Sequence, residues 1–339
     1  MSAQQPGGRL DRDNLLSYRD ASGAARPVRK IGDWLRRRSE IIAGMQSVMG
    51  RLPQQDKRCA LSVRIEEEVD VGTHLRRLIT YDAEPGGRVP AYLLIPKGLL
   101  TSGKRAAAIL CLHPTDNQMG HKVVAGLGGR PNRQYAVELA ERGYVTLAPS
   151  YPLLANYQPD LKALRYQSGT MKAIWDNIRG LDLLETLPFV RKRAFGVIGH
   201  SLGGHNAVYT AVFDPRIQAV ASSCGLDSYL DYKNGDIKGW TSARYMPKLL
   251  EYQGRLAEIP FDFHEMIGAL APRPCFISAP LKDDNFQWQS VDRVVAAARK
   301  IYELYGKSEA LILEHPDCPH DFPDQMRRLA YAVFDHSLH

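Results

Sequence analysis

The stretch Gly199-His200-Ser201-Leu202-Gly203-Gly204 concentrates the residues of this chain best suited to nucleophilic chemistry. A serine between glycines at alternate positions suits a very tight turn from a strand into a helix, with the hydroxyl thrust out of the turn. Its flanks agree with that reading. Ala194 to Ile198 is a short apolar run of strand character, and Leu202 to Phe213 has helical character. Side chains at the glycine positions would collide with the neighbouring strand and helix. The helix N-terminus under the serine turns unsatisfied N–H groups toward any oxyanion forming there. A serine hydroxyl is a weak nucleophile on its own, so a base, oriented by a further group, has to be found elsewhere in the chain.

The elements that would position these groups fall into a consistent pattern. Residues 1–58 read as a loose, polar N-terminal arm followed by a helix over Ile31 to Met49, which stops at Gly50 and Pro53. Period-two patterning over Leu61 to Val69, Leu75 to Tyr81 and Ala91 to Ile95 predicts antiparallel strands. Short apolar strands then alternate with helices from Ala106 to the end: strands at Ala106 to Leu112, Tyr144 to Ala148, Ala194 to Ile198, Ile217 to Ala221, Cys275 to Ala279 and Ala310 to Glu314. The intervening helices are Arg133 to Arg142, Ala173 to Leu187, Leu202 to Phe213, Val291 to Tyr305 and Met326 to His336. Such alternation implies an α/β domain over 59–339, with a mostly parallel sheet of about eight strands covered by helices on both faces. Residues 225–264 break the rhythm and carry Tyr229, Tyr232, Trp240, Tyr245 and Tyr252, the pattern of a lid-like insert or pocket wall.

Three segments carry a family resemblance: GVIGHSLGGHNAVYTAVFDPRIQAV, LAPRPCFISAPLKDDNF and EHPDCPHDFP. With the strand order above, they resemble the dienelactone-hydrolase-like and acetylxylan-esterase-like bacterial branch of the α/β hydrolases, over about residues 60–339. The resemblance implies a serine hydrolase acting on an acyl bond, with the catalytic groups in the chain order serine, acid, histidine. Ser201 is then the nucleophile. After the last strand come two histidines. His315 sits at the strand end and reads as a turn residue before Pro316, whereas His320 lies on a loop that can reach over the sheet, and is the expected base. The resemblance places the acid about four residues past the strand Cys275 to Ala279, at Asp283. Asp284 is its rival, with a side chain expected to point the opposite way, and Asp227 lies where some hydrolases of this fold put the acid.

An oxyanion hole needs two N–H donors. Leu202 supplies the first. The second should come from His113-Pro114-Thr115-Asp116, where relatives often carry His-Gly. Pro114 has no N–H, which leaves Thr115. His113, Trp240 and Tyr245 are candidate pocket residues. His113 alternatively orders its loop, and Trp240 alternatively closes a small core beneath the insert.

Composition limits the other readings. The formal charge is +7, from 44 basic and 37 acidic residues, but no basic run with interleaved aromatics suggests nucleic acid. No apolar stretch approaches the ~20 residues of a membrane span. The first ten residues lack the apolar core of a secretory signal, so a cytoplasmic location, or a signal already removed, is expected. The insert lacks the long amphipathic helix of an interfacial lipase. Five scattered cysteines favour a reduced compartment. His315, Cys318 and His320 lack a zinc-site spacing, so no metal and no cofactor are expected. The expected activity is hydrolysis of a small or carbohydrate-linked carboxylic ester. An amide or peptide hydrolase using the same residues, and a non-catalytic binding protein, are the alternatives. Oligomeric state stays open, with the N-terminal arm as one place for a dimer contact.

Overall fold

The computed structural model describes residues 8–338. A short hairpin, β1 (Ser17–Arg19) and β2 (Ala25–Pro27), precedes helix α1 (Ile31–Met49). The arm the sequence suggested to be loose is not so from Gly8 on, and its first seven residues lie outside the described ones. Leu10 and Leu15 are buried, and Arg9, Arg12 and Arg37 reach carboxylates 225 or more residues away, at Asp262 and Glu265. Polar composition hid this because the arginines serve as buried ion-pair partners rather than as solvated charges.

Next come β3 (Arg64–Asp70), β4 (His74–Glu84), β5 (Gly87–Pro96), the short helix α2 (Lys97–Ser102) and β6 (Ala106–Leu112). Helix α3 (Tyr135–Glu141), β7 (Val145–Pro149), α4 (Gly169–Thr186), β8 (Val190–His200), α5 (Leu202–Phe213) and β9 (Ile217–Ser223) follow. After the insert lie α6 (Phe263–Gly268), β10 (Cys275–Ser278), α7 (Trp288–Leu304), β11 (Leu311–Glu314) and α8 (Asp324–Leu338). The main sheet has nine strands in the order β11-β10-β9-β8-β6-β7-β5-β4-β3. From β11 to β7 neighbours run parallel, while β5, β4 and β3 are antiparallel.

Strand periodicity explains the two-sided core. In β6, Ala108, Leu110 and Leu112 join one apolar cluster and Ala107, Ile109 and Cys111 the other. Successive side chains point to opposite faces, so a strand that is apolar throughout needs helices on both sides. Helices α1, α4, α5 and α7 cover the first face and α3 and α8 the second. No helix among the described residues is long and apolar enough to cross a membrane.

The insert consists of short helical turns, and its aromatic residues face inward. Tyr229, Tyr232, Trp240, Phe261 and Phe263 pack edge-to-face or tilted, with ring centroids 5.5–5.8 Å apart. They join the main apolar cluster on the first face of the sheet, and the insert follows the C-terminal end of β9, the end at which crossover folds place their ligand sites.

Candidate active site

Ser201 stands between β8 and α5 with φ 55° and ψ −120°. A non-glycine residue in that region costs on the order of 1–3 kcal/mol, so the surroundings must impose it. The amide of Ser201 donates to the Ser223 carbonyl at 2.8 Å, which ties the turn to β9. The adjacent glycines follow from close backbone packing. A Cβ on Gly199 would lie 2.1 Å from the Gly203 carbonyl oxygen, and one on Gly203 would lie 1.9 Å from that of Leu112. Leu202 opens α5, where an N–H has no intrahelical acceptor.

Ser201 and His320 line one cleft of about 410 Å³, together with Pro114, Thr115, Arg130 and Arg133. His320 follows β11 on a loop, half-buried, with its Nδ1 2.9 Å from both carboxylate oxygens of Asp283. Asp283 follows β10, and its side chain is 1% exposed. Burial alone would raise this carboxyl. The hydrogen bond and charge of His320, with the N–H groups of Asn285 and Phe286, outweigh burial and hold it below the usual carboxylate range. Occupation of Nδ1 leaves Nε2 as the ring atom available to the cleft.

The rival residues lie elsewhere. Asp284 is exposed. Asp227 is buried, with Oδ2 accepting from the Gln287 amide at 3.1 Å and Oδ1 without a partner among the described residues. Burial pushes its carboxyl up to about 8. His315 is engaged at both nitrogens, by the Ala279 carbonyl at 2.6 Å and Asp292 at 3.0 Å.

Two of the expected pocket residues stand behind the cleft wall. His113 is 1% exposed. Its Nδ1 meets the Pro114 carbonyl at 2.8 Å and its Nε2 accepts from the Tyr151 amide at 2.9 Å. Burial lowers its pKa to about 4, so it is a neutral brace between two loops. Trp240 is 3% exposed and belongs to the aromatic core of the insert. Large aromatic surface is worth most when desolvated, and here its neighbours supply that burial. Tyr245 alone of the three approaches the rim, its hydroxyl 3.4 Å from the Thr115 hydroxyl.

Other groups around His320 carried no spacing signal. His200, beside the serine, is buried among Phe322, Ser223 and the His320 ring, whose centroid is 4.9 Å away. Burial keeps it far below its usual pKa, so it adds no positive charge next to His320. Cys224, Asp283 and His320 are the one group among the described residues with metal-type donors in mutual reach, within 4.8 Å. Burial pushes the Cys224 thiol well above its ordinary pKa, and the His320 Nδ1 is already held by Asp283. Those features suit a hydrogen-bonded neighbour of the His320–Asp283 pair better than a thiolate ligand set.

The chain is similar to esterases. The fungal glucuronyl esterase family matches residues 161–306. A 4-O-methyl-glucuronoyl methylesterase 1 of Wolfiporia cocos (strain MD-104) is 25% identical over 192 residues, which is 49% of this chain and 45% of that one. Among solved structures, a glucuronoyl esterase from Solibacter usitatus superposes with a TM-score of 0.75 at 19% identity, covering 98% of each chain. Acetyl xylan esterase 1 from Thermoanaerobacterium sp. JW/SL YS485 does so with a TM-score of 0.55 at 16% identity, over 86% of this chain and 97% of that one. The nine-stranded sheet and these likenesses give the chain the α/β-hydrolase fold, with esterases among the proteins it is similar to.

Proposed function

We propose that the protein hydrolyses a carboxylic ester carried by a carbohydrate, through an acyl-enzyme on Ser201. The observation that carries this reading is the His320–Asp283 pair on the cleft that also holds Ser201. In the first half-reaction the Ser201 Oγ attacks the acyl carbon and its proton passes to His320 Nε2. Asp283, accepting from Nδ1–H, holds that tautomer and stabilises the imidazolium. The N–H groups of Leu202 and Thr115 face the negative charge that develops on the carbonyl oxygen, each worth ~2.7–4 kcal/mol of transition-state stabilisation. His320 then protonates the departing sugar oxygen or alcohol. In the second half-reaction water attacks the acyl carbon, with His320 taking its proton; the bond to Ser201 Oγ then breaks, His320 returns the proton to that oxygen, and the acid is released.

The substrate class is supported by the esterases the chain is similar to and by the polar rim of Thr115, Asp116, Asn117, Gln118 and Arg130. Such groups suit a hydroxyl-rich ligand more than an alkyl chain. The test compares wild type with Ser201→Ala on p-nitrophenyl esters from acetyl to octanoyl, on acetylated xylan oligosaccharide and on the methyl ester of glucuronic acid. The expected result is turnover of the short and carbohydrate esters, with kcat lowered ~10⁶-fold in the variant. Turnover that survives in Ser201→Ala overturns the nucleophile. A preference for octanoyl over both carbohydrate esters overturns the substrate class.

A further inference from the structure

The residue after the proposed base is held at both ends of its carboxylate. Both carboxylate oxygens of Asp321 are taken by two consecutive residues of a distant loop: Asn132 donates its Nδ2 at 2.7 Å, and Arg133 donates its Nη1 to the other oxygen. Asn132 reaches this geometry through a left-handed backbone, φ 62°, which asparagine tolerates better than most residues. Arg133 is 3% exposed although it lines the cleft, and its Nη2 also points at the His320 carbonyl, 3.5 Å away. Arg327 of α8 braces the same assembly, donating to Asn132 Oδ1 at 2.9 Å and to the Phe322 carbonyl at 2.7 Å. Its other nitrogens hold Glu138 at 2.9 and 3.0 Å. Phe322 is fully buried against Tyr135 and His200.

We propose that Arg133 and Asp321 are the positioning pair of His320, fixing where its loop carries the imidazole while Asp283 fixes how the ring is turned. The proposal rests on the reading of Ser201, His320 and Asp283 as a triad. A base on a loop has two freedoms. The ring rotates about its own bonds, and the loop shifts as a body. Asp283 acts on Nδ1 and controls the first. The clamp on Asp321 acts one residue along the main chain and controls the second. Nε2 must stay within about 2.6–3.2 Å of the serine oxygen to take its proton, and a misplacement of ~1 Å costs on the order of 10²-fold in rate. The guanidinium fork suits this task because one planar group engages a carboxylate and backbone carbonyls together.

The experiment measures kcat and KM on p-nitrophenyl acetate, the rate of Ser201 labelling by diisopropyl fluorophosphate, and the melting temperature. The variants are Arg133→Gln, Asp321→Asn, the double variant, Arg133→Lys and His320→Ala. A positioning pair predicts that either single change lowers kcat and the labelling rate ~10-fold or more while KM stays within about twofold. The double variant should be no slower than the slower single, because the two act as a unit. Arg133→Lys should recover part of the rate. Rates within about twofold of wild type overturn the proposal, as does a loss confined to KM or one that tracks the melting temperature across the series. If Arg133→Gln does not fold, Asp321→Asn and Asn132→Ala carry the same test on the other arm of the clamp. Full activity in His320→Ala is a separate result: it overturns the triad, and the pair's role with it.

Discussion

Two regions of this molecule are built from the same residue types and differ in one respect. At the N-terminal clasp, Arg9, Arg12 and Arg37 meet Asp262 and Glu265. Asp262 also accepts from Ser228 Oγ at 2.8 Å and caps α6, and Glu265 accepts from the Asp262 amide at 2.8 Å. At the cleft, Asp283 meets His320 and Asp321 meets Arg133. The two acids of the clasp are 0% exposed, and the cations set against them are 3–12% exposed. At the cleft one partner, His320, remains 19% exposed at its side chain, with one ring nitrogen unused by the acid. A network whose charges are buried against one another holds a fold together. A network that leaves one titratable atom facing a cleft can transfer a proton.

The comparison can be broken at several points. Asp283→Asn should lower kcat ~10⁴-fold, since the amide stabilises the wrong imidazole tautomer. The measurement is kcat on a short ester, with Asp227 and Asp284 left intact. Retained activity would transfer the role to one of those neighbours. Glu265→Ala leaves the Arg9 guanidinium without its acid and Arg37 with Glu40 alone, and should cost about 3–5 kcal/mol in urea unfolding, while kcat of the folded enzyme at 25 °C stays within ~3-fold. A larger fall in kcat would mean that the clasp also shapes the cleft.

Asp227 stands apart from both regions, with Oδ1 lacking a partner among the described residues. Its folded pKa of about 8 lies above the unfolded value, so the native state binds more protons across that interval and stability falls as pH rises from about 4 to 8. Asp227→Asn removes the titration. It should raise the melting temperature by about 2 °C or more at pH 8 and little near pH 4. An equal gain at both pH values would place the effect in packing rather than in ionisation. His315→Ala should leave kcat within ~3-fold, because both ring nitrogens are already used within the fold. A loss of ~10³-fold would reverse the choice between the two histidines.

Much of this was legible in the sequence wherever the information is local. The helix Ile31–Met49 and the helix after the elbow, Leu202–Phe213, lie where apolar spacing placed them. The glycines at 199 and 203 announce a turn because only backbone fits there. The strands of the main sheet follow from apolar runs that must be covered on both faces. What stayed hidden is pairing at long range. Nothing near Arg133 indicates that it meets Asp321, 188 residues on. Nothing near Arg9 indicates Glu265, 256 residues on. Trp240 keeps two readings in the sequence, pocket or core, for a related reason: an aromatic among polar residues does not say which of its faces is covered, and only its partners Tyr229, Tyr232 and Phe263 decide that.

The crowding at the serine turn also sets how this scaffold can be altered. At positions 199 and 203 a side chain would meet main-chain atoms that belong to the sheet and to α5, so no rotamer choice relieves the collision. A randomised library should return these two positions as glycine whatever substrate is selected for. Thr115, Asn117, Gln118 and Arg130 line the cleft as exposed side chains with solvent beside them. New specificities on this framework would be written in those four positions, with the elbow inherited unchanged.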